Sequence, residues 1–385
     1  SKGAPQPSQT GPSRNWMRLQ AVAESPPASA EPPSMAWGGK IRSRVPRHIA
    51  RARGPGFNTA PSLKSPSLKS PPLKRLWKRP SSALMPPPLL FDRALHRKRL
   101  DRAAAGFAAA DFLQRRAADD LVERLEGIMR DFPRAVDLSA RNGALRQALA
   151  ASPAARRIGL LAEADLSAAM LAGREGPRVV LDEERLPFAA GSLDLVVSTL
   201  GLHWTNDVVG ALIQVRRALK PDGLFLGAFL GGSTLTELRQ ALTDAESEIL
   251  GGAGSRVSPF ADSRDAASLL QRAGFALPVA DVDRVSVSYE HPLKLLADLR
   301  QMGETNVLAD RHPRALTRTL LARAGEIYVE RFAGPDGRVA ATFEIVTLTG
   351  WAPHASQPQP LQPGSARMRL ADALGTVEHR LPRDV

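Results

Sequence analysis

Chemistry-bearing residues cluster at four places between Phe132 and Trp204. They are Asp137 with the loop Ser139-Ala140-Arg141-Asn142-Gly143, Asp165 with Leu166, Asp182 with Glu183, and Ser198 with His203 and Trp204. Each cluster closes a short apolar run. An acid at the end of a strand can accept both hydroxyls of a ribose; Asp165 is the first candidate and Glu163 the second. Asp182 can accept from an adenine amino group, and the next backbone N–H, that of Glu183, can serve a ring nitrogen. Gly143 allows close backbone approach, and the N–H groups at the start of the following helix are donors. The imidazole of His203 suits a general base. Trp204 can wall a pocket or cover an adenine. The set fits a nucleotide-like ligand with a proton acceptor at its rim.

Apolar runs alternating with helix-like segments must position these groups. Strands are expected at Arg134–Leu138, Ile158–Ala162, Arg178–Leu181, Leu193–Ser198, Leu224–Phe229, Val282–Tyr289 and Thr342–Trp351. Helices are expected at Val208–Leu219, closed by the turn Lys220-Pro221-Asp222-Gly223, at Ser233–Leu250 with Ser233 or Thr234 as cap, and at Ala261–Gly274 with a terminal glycine. Leu293–Met302 and Arg314–Arg331 are also expected to be helical, and Met368–Leu374 is a weak amphipathic piece. Such alternation predicts an α/β protein with a mostly parallel sheet and helices on both faces. Ligands of these sheets lie beyond the carboxyl ends of the strands, where the strand order reverses.

Charge is unevenly placed. Of the 52 Lys and Arg, 15 fall in residues 1–85, which hold only two of the 39 Asp and Glu; the rest of the chain carries 37 of each sign. The net charge of +13 is therefore a property of the tail, and the folded part carries no nucleic-acid signature. Residues 1–85 are rich in Pro, Ser and Arg, lack apolar periodicity, and are expected to be disordered. They read as a basic tail or a translated region before a start at Met85, as an organelle transit peptide, or as a segment that meets an acidic partner or membrane surface. Residues 86–130 read as two helices forming a lid, residues 131–354 as the catalytic domain, and residues 355–385 as an extended tail. The basic cluster Arg93 to Arg102 reads either as a solvated helix face or as part of that lid. No cysteine is present, which excludes disulfides, thiol nucleophiles and Cys-ligated metals. No run is long and apolar enough for a membrane span. No metal-ligand spacing is found; Glu290, His291 and His312 lack the helical pattern.

The run LDEERLPFAAGSLDLVVSTLGLHW, followed by ALKPDG, resembles the class I S-adenosylmethionine-dependent methyltransferases. FDRALHRKRLDRAA, GSLDLVVSTLGLHWTNDVVGAL, GAFLGGSTLTELRQAL and LRQMGETNVL are similar to the assembly factor 5 family of respiratory NADH:ubiquinone oxidoreductase (complex I), itself related to malonyl-carrier-protein methyltransferases of biotin synthesis. The resemblance implies a Rossmann-like fold with seven strands, one of them antiparallel, and S-adenosyl-L-methionine as cofactor. It implies a cofactor site built from Asp137, Ser139, Arg141, Gly143, Asp165, Leu166, Asp182, Glu183 and Ser198, with His203 as catalytic residue and Trp204 in the substrate pocket. The activity expected is methyl transfer to an acceptor that includes proteins among its candidates. Two alternatives stay open: a complex I assembly factor that hydroxylates an arginine of a subunit or chaperones it, and an inactive scaffold of the same fold. The bacterial cytoplasm is the expected location, the mitochondrial matrix the alternative, and peripheral membrane contact is compatible with either.

One departure matters. The family loop runs Asp-x-Gly-x-Gly-x-Gly, whereas here the positions are Asp137, Ser139, Arg141 and Gly143. Arg141 has three places to go: out to solvent, into the pocket, or onto a carboxylate of cofactor or substrate.

Because residues 1–85 carry the charge and proline bias, they are expected to be dispensable for folding. A chain beginning at Met85 should keep the cooperative thermal melt of the full chain; a melting temperature lower by many degrees would refute this partition.

Overall fold

Alternating apolar residues place the strands. The computed structural model describes residues 89–262, 265–312, 316–358, 365 and 368–377. The expected tail at 1–85 lies outside these residues. The elements are α1 (Arg93–Ala103), α2 (Phe112–Glu126), β1 (Phe132–Leu138), α3 (Ala144–Ala150), β2 (Ile158–Asp165), β3 (Arg178–Val180), β4 (Leu193–Thr199), α4 (Val208–Ala218), β5 (Leu219–Leu230), α5 (Thr236–Leu250), α6 (Ala266–Arg272), β6 (Ala276–Tyr289), α7 (Pro292–Gln301), α8 (Arg318–Phe332), β7 (Val339–Trp351) and α9 (Leu370–Leu374). The strands form one seven-stranded sheet in the order β3-β2-β1-β4-β5-β7-β6. β1 to β5 pair in parallel, and β7 runs antiparallel to both β5 and β6.

Successive side chains of a strand point to opposite faces. Leu195 and Val197 of β4 with Leu224 and Leu226 of β5 enter one core, which α2, α3, α5, α7 and α8 cover. Val196, Phe225 and Phe229 enter the other, against Leu212 and Val215 of α4 and Leu270 of α6. The central strands are buried on both faces, as parallel strands covered by helices must be. α2 is one of the sheet-covering helices, with Leu121 fully buried. α1 lies further along the chain toward the amino terminus and presents two different sides: His96 and Leu100 are buried, while Arg97, Lys98 and Arg102 face solvent.

Two local expectations fail. The turn Lys220 to Gly223 does not lie outside the sheet. It is drawn into β5 as a bulge, since Leu193 pairs with Leu219 and Leu195 with Leu224. The extra residues are accommodated by Asp222, whose φ is 63°, and a bulge is the way a ladder keeps its register around surplus residues. Neither Ser233 nor Thr234 caps α5, which begins after Leu235 without a side-chain cap. Thr234 Oγ1 instead accepts from the Glu344 N–H at 3.0 Å, so the hydroxyl ties the helix entry to β7. The terminal glycine of α6 is found as expected: Gly274 has φ 81° and its N–H bonds Gln271.

The chain leaves the centre of the sheet after β1, runs outward to β2 and β3, and returns to β4 on the other side of β1. The reversal of strand order therefore lies between β1 and β4, and their carboxyl ends carry Ser139 and Thr199 to Gly201. A crevice at this point is a consequence of the topology.

Candidate active site

The backbone after β1 is unusual before any side chain is considered. Ser139 and Arg141 have φ of 63° and 46°, in the left-handed region that a Cβ disfavours, and Gly143 has φ 82°. They occupy the three loop positions where the resembling family has glycine, so the loop keeps a glycine geometry with only one glycine left. Ser139 is tolerated because its neighbour has no side chain: a Cβ on Gly201 would stand 1.8 Å from Ser139 Oγ. Gln114 of α2 fastens the two strand ends across the reversal point, its Nε2 donating to the carbonyls of Ser139 at 3.3 Å and Thr199 at 3.0 Å.

Arg141 is 1% exposed, so the solvent-facing option is overturned. Its side chain fills the pocket, and the carboxylate it meets belongs to the chain itself. Nη1 lies 2.8 Å from Asp165 Oδ2, the same oxygen accepts the Arg141 N–H at 3.0 Å, and the Ser167 N–H donates to Oδ1 at 2.8 Å. Either charge left buried without the other would be costly, and the paired arrangement of the Arg141 backbone and side chain on Asp165 answers both demands. Around it the other acids are also engaged. Arg93 of α1 reaches Asp182 Oδ1 at 2.8 Å, pairs with Glu183 Oε2, and donates to the Trp204 carbonyl at 3.1 Å. Glu183 further accepts from Ser139 Oγ at 2.7 Å. Burial opposes ionisation of Asp182, but the hydrogen bond and charge of Arg93 outweigh it and hold the carboxyl below its usual range. Glu163 is buried beneath Arg174 and Arg146, and Arg174 also bonds the Arg141 carbonyl.

Asp137 is the exception. It is fully buried, and neither carboxylate oxygen has a hydrogen-bond partner among the described residues. Burial, then the neighbouring charge of Glu163, pushes its carboxyl well above the usual range. Ser198 Oγ, on the strand next to β1, is likewise buried without a partner. Leu166 is buried beside Asp165.

Trp204 and His203 form a turn after β4 on which the start of α1 rests. The Trp204 ring packs edge-on against Phe91 at 5.3 Å and against His96 at 5.0 Å between centroids. Burial, then the charges of Arg141 and Arg93, hold His96 well below its usual pKa and hence neutral. His203 Nε2 and Trp204 Nε1 both meet Glu304 Oε2, at 3.1 and 2.8 Å. Glu304, Arg93, His96 and Gln114 were not singled out as site residues on sequence grounds, although Arg93, His96 and Glu304 fall within quoted motifs. Asp111, Gln114, Arg141, Leu200 and Glu304 line a cavity of about 20 Å³, enough for a water molecule. A wider cleft of about 400 Å³ lies beside α3, between Gly143, Arg146 and Arg174; the strand-end acids Asp165 and Asp182 do not line it.

With this geometry in view, the chain can be set beside known proteins. A family model described as a methyltransferase domain matches residues 136–227. The mitochondrial arginine-hydroxylase NDUFAF5 of Danio rerio is 38% identical, over 74% of this chain and 89% of its own length. The Homo sapiens protein of the same name is 38% identical, over 76% of this chain and 85% of its own. The chain belongs to the NDUFAF5 family. That family lies within the class I S-adenosylmethionine-dependent methyltransferases, as the malonyl-[acyl-carrier protein] O-methyltransferase of Methylovorus sp. (strain MP688) illustrates: it is 33% identical, over 76% of this chain and 96% of its own.

For an NDUFAF5-family chain the cofactor is S-adenosyl-L-methionine, and the residue types at the strand ends suit it. The orphaned oxygens of Asp137 and Ser198 mark polar capacity in the same place. Arg141 and Arg93 hold Asp165, Asp182 and Glu183, the acids that the sequence marked as cofactor contacts.

The state of Asp137 has a measurable consequence. Its carboxyl is raised in the folded chain, so the folded state binds the extra proton. The stability this contributes is full below about pH 4, the ordinary carboxylate range, and declines as pH climbs toward the folded value. Asn cannot ionise. In thermal melts across a pH series, Asp137→Asn should gain on the wild type as pH rises; a difference independent of pH would count against a protonated Asp137.

Proposed function

We propose that the protein binds S-adenosyl-L-methionine at the reversal point and directs methyl transfer to an acceptor reaching the site past Trp204. The observation that carries this reading is Asp165: a fully buried acid at the carboxyl end of β2, within hydrogen-bond reach of the loop that follows β1. Asp165 would accept the ribose hydroxyls, with Leu166 beside it; Asp182 would accept from the adenine amino group and the Glu183 N–H would serve a ring nitrogen. The backbones of Ser139, Arg141 and Gly143 would lie along the ligand, with Asp137 and Ser198 supplying polar atoms beneath it. When bound, the cofactor supplies an electrophilic methyl group on a sulfonium. The chain's own part is placement, which can contribute ~7–11 kcal/mol to such a reaction. Trp204 walls the acceptor side and His203 is the candidate proton acceptor.

A second reading has its own support. Relatives at 38% identity are named arginine-hydroxylases of mitochondria, and Arg141 stands where the nucleoside would lie. In that reading the protein assists assembly of respiratory complex I in the mitochondrial matrix, by modifying or chaperoning a subunit. In the first, a bacterial cytoplasmic methyltransferase is equally compatible with the relatives. Mass analysis of a candidate subunit after incubation separates the two: a gain of one methylene supports methyl transfer, and a gain of one oxygen supports the activity named for the mitochondrial relatives.

Calorimetric titration with S-adenosylmethionine tests the site directly. Arg141→Gly should bind at least about tenfold more tightly than wild type, equal to ~1.4 kcal/mol, because the obstruction is gone and Asp165 is free. Without ligand the same variant should melt lower. Breaking a buried pair costs about 3–5 kcal/mol, offset by roughly 1–2 kcal/mol from relief of the left-handed backbone. Weaker binding by Arg141→Gly would make Arg141 a ligand-binding residue.

Asp165→Ala should weaken binding more than Glu163→Ala. Each lost hydrogen bond to a charged acceptor is worth ~1.5–3 kcal/mol, and Glu163 is enclosed by Arg146 and Arg174. The reverse order would move the ribose site to Glu163.

A further inference from the structure

Glu304 follows α7 and Gly303, whose φ of 77° turns the chain back toward the reversal point. One of its oxygens receives two groups. The indole Nε1 of Trp204 can only donate, and it does so to Oε2 at 2.8 Å. Oε2 is therefore an acceptor, and the His203 Nε2 that lies 3.1 Å from it must carry its hydrogen. Neutral imidazole has one N–H, so the lone pair is left on Nδ1. Nδ1 is buried and has no hydrogen-bond partner among the described residues. A buried acceptor without a donor is costly, and such an atom at a strand end calls for a group that brings the donor. The neighbours agree with an acceptor role. The His203 ring packs at a tilt against Trp204 and Phe260, at 5.2 and 5.9 Å between centroids, so it has an aromatic neighbour on two sides. Glu304 itself borders the small cavity together with Asp111 and Arg141.

We propose that Glu304 is a positioning residue that locks His203 in its Nε2–H form, so that Nδ1 takes the proton released by the methyl acceptor. The acceptor is then a hydroxyl or nitrogen that must lose a proton, not a carboxylate. This rests on the methyl-transfer reading given above. In the balanced step the acceptor atom bonds to the methyl carbon, the electron pair of the carbon–sulfur bond goes to sulfur, and the acceptor's proton passes to Nδ1. The imidazolium so formed faces the Glu304 carboxylate, which stabilises it. A carboxylate acceptor has no proton to give, and it would approach a cavity bordered by Glu304, where the Arg141 charge is matched by Asp165 and Asp111 is paired with Arg115. The substrate named for the malonyl-[acyl-carrier protein] relatives is thus the wrong class for this arrangement.

Two measurements test this on the full chain. In nitrogen-15 long-range correlation spectra of histidine-labelled protein, neutral His203 should show a protonated Nε2 and a bare Nδ1. Glu304→Gln, which keeps an oxygen for both donors, should preserve that pattern, and Glu304→Ala should abolish it in favour of a tautomer mixture. A wild-type His203 protonated at Nδ1 overturns the role of Glu304 outright, whether or not either variant folds. The second measurement incubates the protein with tritiated-methyl S-adenosylmethionine and cell extract, then exposes the products to mild alkali. Methyl esters hydrolyse, whereas methyl groups on nitrogen or on a hydroxyl oxygen survive. Alkali-stable label supports the proposed acceptor class and alkali-released label overturns it. A complete lack of label defeats the methyl-transfer reading and the acceptor class with it, while the tautomer measurement still decides what Glu304 does.

Discussion

The arrangement of the site depends on one buried ion pair, Arg141 with Asp165. The parallel sheet brings acids to adjacent strand ends, and four of them, Asp137, Glu163, Asp165 and Glu183, are buried together. Such a concentration of carboxylates cannot stay ionised inside a protein without cations or protons. The chain uses both remedies. Arg141, Arg174 and Arg93 pair with Asp165, Glu163 and Glu183, and Asp137, which has no cation partner among the described residues, has its carboxyl pushed well above the usual range. Removing any one of these partners changes the electrostatic environment of the others, so the cluster behaves as a unit rather than as separate contacts.

The same network joins α1 to the strand ends. Arg93 belongs to α1, yet its guanidinium lies on acids that follow β3 and on the carbonyl of Trp204. Phe91 and His96 rest on the Trp204 ring, and the Asp92 N–H bonds the Val307 carbonyl just beyond Glu304. α1 and the residues just before it thus touch the loop after β3, the turn after β4 and the segment after α7 at once. A ligand that draws Asp182 away from Arg93 loosens the seat of α1 by the same act.

Most of the sheet was legible in the sequence because its signal is local. Apolar runs ended by acidic or small polar residues define β1, β2 and β4 within a few residues, and the glycine after α6 stops that helix where expected. The errors arose where a distant partner overruled a local preference. Lys220 to Gly223 has turn chemistry, but pairing with β4 and β7 holds it in the sheet as a bulge. Thr234 has a good capping side chain, but β7 offers it a backbone N–H. In the site, the acids were readable as strand ends, whereas their partners were not. Arg93 is 89 residues from Asp182, Gln114 is 85 from Thr199, and His203 is 101 from Glu304. Nothing in residue type or spacing announces such contacts. For Arg141 the sequence showed the anomaly and left its direction open, because a residue's identity does not fix its rotamer when solvent and a buried acid both attract it.

The contact between Ser139 and Gly201 shows how this site can change over generations. The Ser139 hydroxyl occupies the space where a side chain on Gly201 would begin, so position 201 is closed to every larger residue while Ser139 remains. The reverse does not hold: Ser139 can return to glycine at once, and its left-handed backbone favours that step. Drift in this pair is therefore directional. Position 139 must shrink before position 201 can grow, and a chain that took the two steps in the other order would pass through an intermediate whose strand ends cannot close.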